Sequence, residues 1–336
     1  MNIKIKAIEY YLPEKTLSNC ELDKENPSWR MKTVEARTGI LKRHIATEDE
    51  TALDLAFKAC QKLFEKHDGL RHQIDGILFC TQSPDYVMPQ NACILHKLLE
   101  LPENTFAVDI NMACSGYIYT LSIARGLIHT GIAHNVLLIN ADTYSKYIHD
   151  KDRATRVIFG DGGAVSWITS AESHEGIIDM QCATSGANYD KFMIKAGACR
   201  IPKSEETSVP TTDSSGNVHT METIEMDGAG ILKFVSEKVP KQVVSILERN
   251  NYTIEDVDLF IFHQASKMVL DSLSRLLRIK KEKVFSNLQN IGNTVSASIP
   301  IALKDAMEEG KISKGDTVLI SGFGVGLSWG TALIKI

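Results

Sequence analysis

The 336-residue sequence predicts an α/β fold made of two similar halves. Short apolar runs typical of buried strands alternate with longer segments of helical periodicity, which is the pattern of sheets covered by helices. The order of these strands and helices over residues 1–174 returns over residues 175–336. A duplicated unit of this kind predicts two domains of like architecture that pack together.

The first half alternates strands and helices from its beginning. Residues 3–12 alternate until Pro13, which predicts a strand, and residues 51–66 carry an apolar stripe at helical spacing. The polar stretch between these two elements predicts only a turn near residues 37–40. Further strands are predicted at residues 74–80, 106–110, 134–140 and 164–168, and further helices at residues 91–99 and 117–128.

The second half repeats this order with one addition. Residues 200–222 interrupt the pattern, because they are rich in polar and turn-forming residues and lack periodicity. They predict a surface insertion that is a loop rather than a third domain. The remaining elements are strands at residues 176–182, 257–262, 317–321 and 327–334, a helix over residues 231–250 interrupted at Pro240, and a small-residue helix over residues 292–303.

The composition argues against several classes of function. The formal net charge of −5 and the lack of a long basic run argue against nucleic acid as a partner. No apolar run approaches the roughly 18 residues that span a bilayer, so we expect a cytoplasmic protein without a membrane segment. The seven cysteines show neither a Cys-x-x-Cys pair nor zinc spacing, which predicts free thiols and no metal site.

Cys114 stands at the junction of a predicted strand and a predicted helix. Unpaired N–H groups and the dipole at a helix N-terminus favour a thiolate, so Cys114 is a candidate nucleophile. His263 directly follows a predicted buried strand, and Asn293 lies at the helix start that corresponds to the Cys114 helix in the other half. A pseudo-twofold relation between the halves would bring the three side chains to one point.

Each of these residues also has an ordinary structural interpretation. A buried Cys is often a small hydrophobe, a His at a strand end often a structural residue, and an Asn before Thr often a helix cap. Their joint occurrence in matching positions of a duplicated fold favours a catalytic site. The Gly-rich residues 322–326 lack the Lys-Ser/Thr ending of a phosphate-binding loop, and their N–H groups suit an oxyanion hole.

Motifs spread over nearly the whole chain give the sequence a family resemblance. They are Arg37-Thr38-Gly39-Ile40 with Arg43-His44, Ala113-Cys114-Ser115-Gly116, Phe159-Gly160-Asp161-Gly162, His263-Gln264-Ala265, Gly292-Asn293-Thr294, and residues 322–326 with Trp329-Gly330. The chain resembles β-ketoacyl-acyl-carrier-protein synthase III, a family of thiolase-fold condensing enzymes. The resemblance implies two βαβαβαββ halves in a layered α-β-α-β-α sandwich, a homodimer, an acyl carrier protein as partner, and thioester substrates with no further cofactor.

The same resemblance implies a ping-pong acyl transfer. Cys114 would take an acyl group from a thioester, and the carbanion equivalent formed when a malonyl-carrier thioester loses CO₂ would attack it. His263 and Asn293 match the pair that hydrogen-bonds the thioester carbonyl; as neutral donors they favour negative charge on oxygen only as it develops. The backbone N–H groups of Cys114 and Val325 would hold the acyl oxyanion, although the family usually has Gly at the second position.

Several departures from the family pattern concern the acyl donor. Thr33 replaces the Trp that stacks on the adenine of coenzyme A, Ser266 replaces an Asn that contacts the pantetheine arm, and Met268 replaces an Arg. Arg37 and Arg153 remain at the positions that meet the nucleotide end. An acyl group carried by a carrier protein is therefore at least as well supported as acyl-CoA.

Other features concern the acyl group itself. Met88 stands where the family places a Phe that crosses the dimer interface and bounds the acyl pocket, and a flexible Met predicts a pocket for longer or irregular chains. Gly324 is a further predicted substrate-binding residue. Together with the polar insertion, these features predict a specialised relative rather than the general initiator of fatty acid synthesis.

Three functions remain open at this point. Decarboxylative condensation to a β-ketoacyl thioester is favoured, because relatives that only transfer acyl groups typically lose or change the residue at Asn293. Non-decarboxylative transfer from a thioester to a hydroxyl, an amine or a small metabolite fits the altered coenzyme A contacts. A non-catalytic partner subunit is disfavoured by the intact set of Cys, His and Asn.

Overall fold

The computed structural model describes residues 2–172 and 175–336 and confirms the predicted α/β architecture. The strands are β1 (Asn2–Tyr11), β2 (Thr16–Ser18), β3 (Lys42–His44), β4 (Gly76–Cys80), β5 (Phe106–Ile110), β6 (Asn135–Asp142), β7 (Gly162–Ala171), β8 (Gly176–Thr184), β9 (Phe192–Met193), β10 (Thr211–Thr212), β11 (Val218–His219), β12 (Glu225–Met226), β13 (Leu259–Phe262), β14 (Thr317–Gly324) and β15 (Ser328–Lys335). The α-helices are α1 (Asn19–Glu25), α2 (Met31–Thr38), α3 (Ala52–Lys66), α4 (Asn91–Leu98), α5 (Gly116–His129), α6 (Arg153–Arg156), α7 (Gly228–Arg249), α8 (Lys267–Leu277), α9 (Leu288–Ile291) and α10 (Ser298–Glu308).

The two halves contribute one sheet each, with matching strand order. The first sheet runs β1-β7-β6-β4-β5 and the second runs β8-β15-β14-β13. In both sheets the first two strands pair antiparallel with their neighbours, and the rest are parallel. The counterpart of β5 is reduced to one bridge between Phe260 and Val284. The predicted duplication is therefore present, and within the described residues the second sheet is one strand shorter.

Helices α5 and α10 form a central layer between the two sheets. α5 contacts β4 and β6 of the first sheet and β14 and β15 of the second, and α10 likewise contacts strands of both. α3 and α4 cover the outer face of the first sheet, whereas α7 and α8 cover that of the second. This arrangement confirms the α-β-α-β-α order that the family resemblance implied.

Helix α3 shows how the sequence determines both a helix and its packing. The Thr51 side chain accepts the N–H of Asp54, and the Asp54 carboxylate accepts the N–H of Thr51, which forms a capping box. The apolar face of the helix lies on β7, where Gly163 allows the two backbones to touch. A Cβ at Gly163 would lie 2.7 Å from the carbonyl carbon of Leu55.

The structure differs from the sequence-based expectation in three elements. The polar stretch before residue 40 contains α1 and α2 rather than only a turn. Pro240 lies inside the continuous helix α7 and does not divide it. The helix expected from residue 292 begins instead at Ser298, because Val295 adopts a left-handed backbone with φ of 54° that a helix cannot contain.

The predicted insertion at residues 200–222 is more regular than expected. It carries a short hairpin of β10 and β11, and the pairing of β9 with β12 closes its base. Thr207 is buried within it and donates a hydrogen bond of 2.6 Å to the Glu222 carboxylate. The segment is therefore a small folded excursion rather than an irregular loop.

Two further expectations concern the boundary between the halves and the absence of a membrane segment. Ser173 and His174, at the predicted boundary between the halves, lie outside the described residues. None of the helices that the structure describes combines the length and the hydrophobicity that crossing a bilayer requires.

Candidate active site

Cys114 lies in the short connection between β5 and α5, directly before the N-cap residue Ser115. It is 3% exposed, and the end of β14 packs against it. A Cβ at Gly324 would lie 2.8 Å from the Cβ and 3.0 Å from the Sγ of Cys114, and a Cβ at Gly322 would lie 2.7 Å from its carbonyl oxygen. Only residues without a side chain fit at these two positions, so β14 brings the predicted residue Gly324 to the sulfur.

His263 lies beside the same end of β14. It directly follows β13, its N–H donates to the carbonyl of Ser321 at 2.8 Å, and its ring packs edge-on against Phe323 with 5.6 Å between centroids. Burial lowers the pKa of His263 to about 3, so the imidazole is neutral at physiological pH. Nδ1 lies 2.6 Å from Oγ of Ser298. A neutral ring is what the predicted donor role requires.

Asn293 is buried in the connection between α9 and α10. Its N–H donates to the carbonyl of Ile158 and its own carbonyl accepts the N–H of Gly160, both at 3.0 Å. Its Oδ1 accepts the N–H of Val295 at 2.9 Å, which leaves the Nδ2 group as the donor available to a ligand. The predicted position at a helix start is therefore corrected, because the left-handed Val295 separates Asn293 from α10.

The site lies where the two halves meet. Cys114 shares one buried apolar cluster with Phe159 and Val295, and Val325 packs against that cluster. Phe159 in turn forms a backbone bridge with Asn293. The structure thus brings the first half's cysteine to the region of the second half's asparagine and to the turn between β14 and β15.

The ionisation of Cys114 is opposite to the expectation from its place at a helix N-terminus. Burial raises the pKa of its thiol, and the carboxylate of Asp142 raises it further, whereas a backbone hydrogen bond opposes both effects only in part. The buried Cys114 is therefore a neutral thiol. The favourable effect of the helix N-terminus on a thiolate is outweighed here by complete burial beside an acidic group.

Asp142 is a site residue that sequence analysis missed. It ends β6, is fully buried, and accepts hydrogen bonds from the Gln82 N–H at 2.8 Å and the Ser296 hydroxyl at 2.7 Å. Burial raises its pKa to about 7. No short motif marks a carboxylate whose partners are a backbone group and a hydroxyl from the other half of the chain.

A cavity of about 580 Å³ opens beside Val325. Its inner lining includes apolar side chains that share the cluster of Cys114, namely Tyr144, Phe192 and Ile224. Its outer lining includes Lys203 and Glu222, which form a 3.4 Å ion pair in the insertion. The insertion therefore contributes to a cavity next to the candidate nucleophile, which its polar composition did not predict.

Comparison with known proteins identifies the family of this chain. Residues 108–186 match the family described as 3-oxoacyl-[acyl-carrier-protein] synthase III, and residues 247–336 match its C-terminal family. β-Ketoacyl-[acyl-carrier-protein] synthase III of Clostridium perfringens is 37% identical over 338 residues, which cover 100% of this chain and 99% of the relative. The chain belongs to the 3-oxoacyl-acyl-carrier-protein synthase III family.

Other relatives give the same result. The Campylobacter curvus β-ketoacyl-[acyl-carrier-protein] synthase III is 38% identical over 334 residues, covering 98% of this chain and 95% of the relative. A crystal structure of a 3-oxoacyl-(acyl-carrier-protein) synthase III superimposes with a TM-score of 0.97, at 38% identity and full coverage of both chains. The suspected family and the thiolase-like fold are therefore confirmed, and the chain is an enzyme.

The predicted substrate-binding residues lie on several elements. Arg37 is exposed in the last turn of α2, and Arg153 is the half-buried first residue of α6. Ser266 is buried and caps α8 by accepting the N–H of Val269. Met88 is 79% exposed between β4 and α4. These positions are compatible with the predicted roles, which stay predictions.

No group of three or more His, Cys, Asp or Glu side chains suited to a metal ion occurs in the parts of the chain that the structure describes. All seven cysteines are free thiols. The residues that the structure gathers at the site are instead hydrogen-bond donors, one thiol and the carboxyl group of Asp142. They are suited to acyl transfer between thioesters.

Proposed function

We propose that the protein makes a β-ketoacyl thioester by acylation of Cys114 and decarboxylative condensation with a malonyl-acyl-carrier-protein. The observation that carries this proposal is the pairing of one buried thiol with neutral donors, the imidazole of His263 and the amide of Asn293. Neutral donors suit an enolate, because they stabilise its charge without a counter-charge that would bind the ground state as well.

In the acylation step, the sulfur of Cys114 attacks the carbonyl carbon of a thioester. The C–S bond to the carrier breaks, and the proton of the Cys114 thiol leaves with the carrier thiolate, so that one thioester replaces another. The N–H groups of Cys114 and Val325 would hold the oxyanion of the tetrahedral intermediate. The close packing of Gly324 on Cys114 supports this proposal, since it brings the turn that carries Val325 to the reacting sulfur.

In the condensation step, the malonyl group loses CO₂ and the electron pair of the broken C–C bond forms an enolate. His263 and Asn293 would donate to the enolate oxygen. The enolate carbon then attacks the acyl group on Cys114, and the sulfur leaves as a thiolate. Acyl transfer to a hydroxyl or an amine, the second candidate, would need no such enolate and gives no role to a pair of neutral donors.

We also propose the partners, the oligomeric state and the cellular location of the enzyme. The partners are an acyl carrier protein and an acyl-CoA or acyl-carrier donor, and the enzyme works as a homodimer in the cytoplasm, where its seven free cysteines stay reduced. The halves 1–174 and 175–336 are its two domains. No metal or organic cofactor takes part in the proposed steps.

The proposal is tested by intact mass measurement of the protein after incubation with acyl-CoAs and acyl-carrier thioesters. We expect an acyl adduct that Cys114→Ala abolishes and that Cys93→Ala, a matched change of an exposed cysteine, retains. Malonyl-acyl-carrier-protein should then release CO₂ and discharge the adduct. An adduct that an alcohol or amine discharges without CO₂ would instead support simple acyl transfer, and no adduct from any donor contradicts both.

A further inference from the structure

The hydroxyl of Ser298 makes two hydrogen bonds at the candidate site. Ser298 is the first residue of α10 and is 2% exposed. Its Oγ lies 2.6 Å from Nδ1 of His263 and 3.4 Å from the backbone nitrogen of Gln264. The acceptors that this hydroxyl can reach determine the direction of the first contact.

A count of hydrogens shows why. A serine hydroxyl donates one hydrogen and offers two lone pairs, and the N–H of Gln264 can only donate to it. Among the described residues, Nδ1 of His263 is the only acceptor within hydrogen-bonding reach of Ser298 Oγ. If Nδ1 carried a hydrogen, the buried serine hydrogen would have no acceptor, a state that folded proteins avoid. Ser298 therefore donates to Nδ1.

The neutral imidazole of His263 has a single N–H hydrogen, because burial keeps the pKa of the ring near 3. With Nδ1 accepting from Ser298, that hydrogen resides on Nε2. We propose that Ser298 is a positioning residue that holds His263 as the Nε2–H tautomer, an inference that rests on the condensing function proposed above. Ser298 itself does not contact the substrate in this proposal.

In this tautomer, His263 can act in decarboxylation and condensation but not as a base in acylation. An Nε2–H group donates a hydrogen bond to the malonyl thioester oxygen as the C–C bond to the carboxylate breaks, its electron pair enters the enolate, and CO₂ leaves. The same nitrogen has no free lone pair with which to accept the proton of Cys114. Ser298 thereby restricts His263 to decarboxylation and condensation and excludes it as the base for acylation.

The kinetic test compares Ser298→Ala with two other variants. We expect CO₂ release from malonyl-acyl-carrier-protein to fall about tenfold, the effect of one lost neutral hydrogen bond, while adduct formation at Cys114 changes by less than about twofold. Ser298→Thr keeps the hydroxyl and should restore most of the rate. Ser166→Ala removes an equally buried hydroxyl, 3.0 Å from that of Tyr117 and away from His263, and should change neither step.

A spectroscopic test gives a readout independent of turnover. In protein labelled with [15N]histidine, the signals lost in His263→Gln identify the ring, and we expect Nε2 protonated and Nδ1 unprotonated in the wild type. Ser298→Ala should populate both tautomers. A protonated Nδ1 in the wild type overturns the proposal, as does a Ser298→Ala variant that slows acylation and decarboxylation equally. If the expected tautomer is found but no malonyl thioester is decarboxylated, the positioning role stands and the proposed function fails.

Discussion

Asp142 and Cys114 occupy one buried region, and the charge of Asp142 makes ionisation of Cys114 less favourable. The pKa of Asp142 is raised to about 7 and that of Cys114 is raised above its ordinary value. The enzyme without substrate therefore keeps a neutral thiol, which is less open to oxidation than a thiolate. In the proposed acylation step, the leaving thiolate of the thioester takes the proton of this thiol.

Removal of the Asp142 charge should make Cys114 more reactive towards small electrophiles. In Asp142→Asn, we expect the pH profile of Cys114 alkylation by iodoacetamide to shift to lower pH, because a neutral amide no longer repels the thiolate. Asp75→Asn, the same change just before β4 at the end opposite Cys80, is the control and should leave the profile in place. An unshifted profile in Asp142→Asn would show that the two groups do not interact.

The same substitution also changes the pH dependence of folding. A carboxyl whose pKa is raised on folding stabilises the native state fully below its unfolded pKa of 3.8, and this contribution is lost as the pH rises through about 7. We therefore expect the unfolding free energy of Asp142→Asn, measured relative to wild type in urea, to rise by up to about 4 kcal/mol between pH 4 and pH 7.5. A constant difference would contradict the raised pKa.

At the scale of elements, glycines determine how closely strands and helices approach one another. Gly322 and Gly324 let β14 press on Cys114, and Gly163 lets β7 press on α3. A glycine on an open helix surface has no such role. Gly126, near the end of α5, is exposed, and a Cβ there would meet no atom within 4 Å.

Replacement by alanine should change the unfolding free energy in opposite directions at these two kinds of glycine. Gly163→Ala should lower the unfolding free energy by about 2 kcal/mol, because the new Cβ must displace the backbone of α3. Gly126→Ala should raise it by about 0.5–1 kcal/mol, since alanine is the better helix former. Urea denaturation of both variants measures the difference, and equal midpoints would contradict the close packing of β7 on α3.

Sequence reasoning succeeded where a local pattern determines an element. The strand–turn–helix around Cys114 and the capped helix α3 were predicted within one or two residues, because their apolar spacing is strong. α1 and α2, of 7 and 8 residues, were missed because helices this short depend on tertiary contacts. The displaced start of α10 could not be predicted, since a β-branched residue such as Val295 strongly disfavours a left-handed backbone.

Likewise, only the site residues that stand in recurring sequence motifs could be predicted. Cys114, His263, Asn293 and Gly324 stand in motifs. The structure places Cys114, His263 and Gly324 around the end of β14, and it places Asn293 against Phe159, which shares the apolar cluster of Cys114. Asp142 stands in no motif. Its influence on Cys114 arises from burial and from contacts between residues distant in sequence, such as the hydrogen bond from Ser296, which are known only once the chain is folded.

At the scale of the whole molecule, the shared layer of α5 and α10 joins the two halves into one body. Each of these helices packs on both sheets, so neither half can bury its apolar surface alone. A second apolar surface stays uncovered in the single chain. Tyr86, Val87 and Met88 are 60%, 98% and 79% exposed in the connection between β4 and α4. Consecutive exposed apolar residues of this kind mark a contact surface.

We expect this surface to lie in the interface of the proposed homodimer. Light scattering should give twice the chain mass of 37.2 kDa for the wild type, and Met88→Asp should shift the population to single chains, because a buried unpaired carboxylate disfavours association. Ile132→Asp, a change at an apolar residue of 58% exposure elsewhere, should leave the dimer intact. A wild type that is monomeric, or a dimeric Met88→Asp variant, would contradict this assignment.

The two sides of the cavity beside Val325 differ in the substitutions that we expect the protein to tolerate. Its outer wall comes from the folded excursion at residues 200–222, whereas the cysteine rests on β14 and α5 in the rigid interior. We expect an exchange at the exposed Lys203 to leave the sulfur and its donors in place, whereas Glu222 also accepts the hydroxyl of Thr207 within the excursion. For an engineer, the excursion is a segment to vary on its own: we expect libraries confined to it to change the acyl groups that the proposed reaction accepts and to leave the condensing chemistry unchanged.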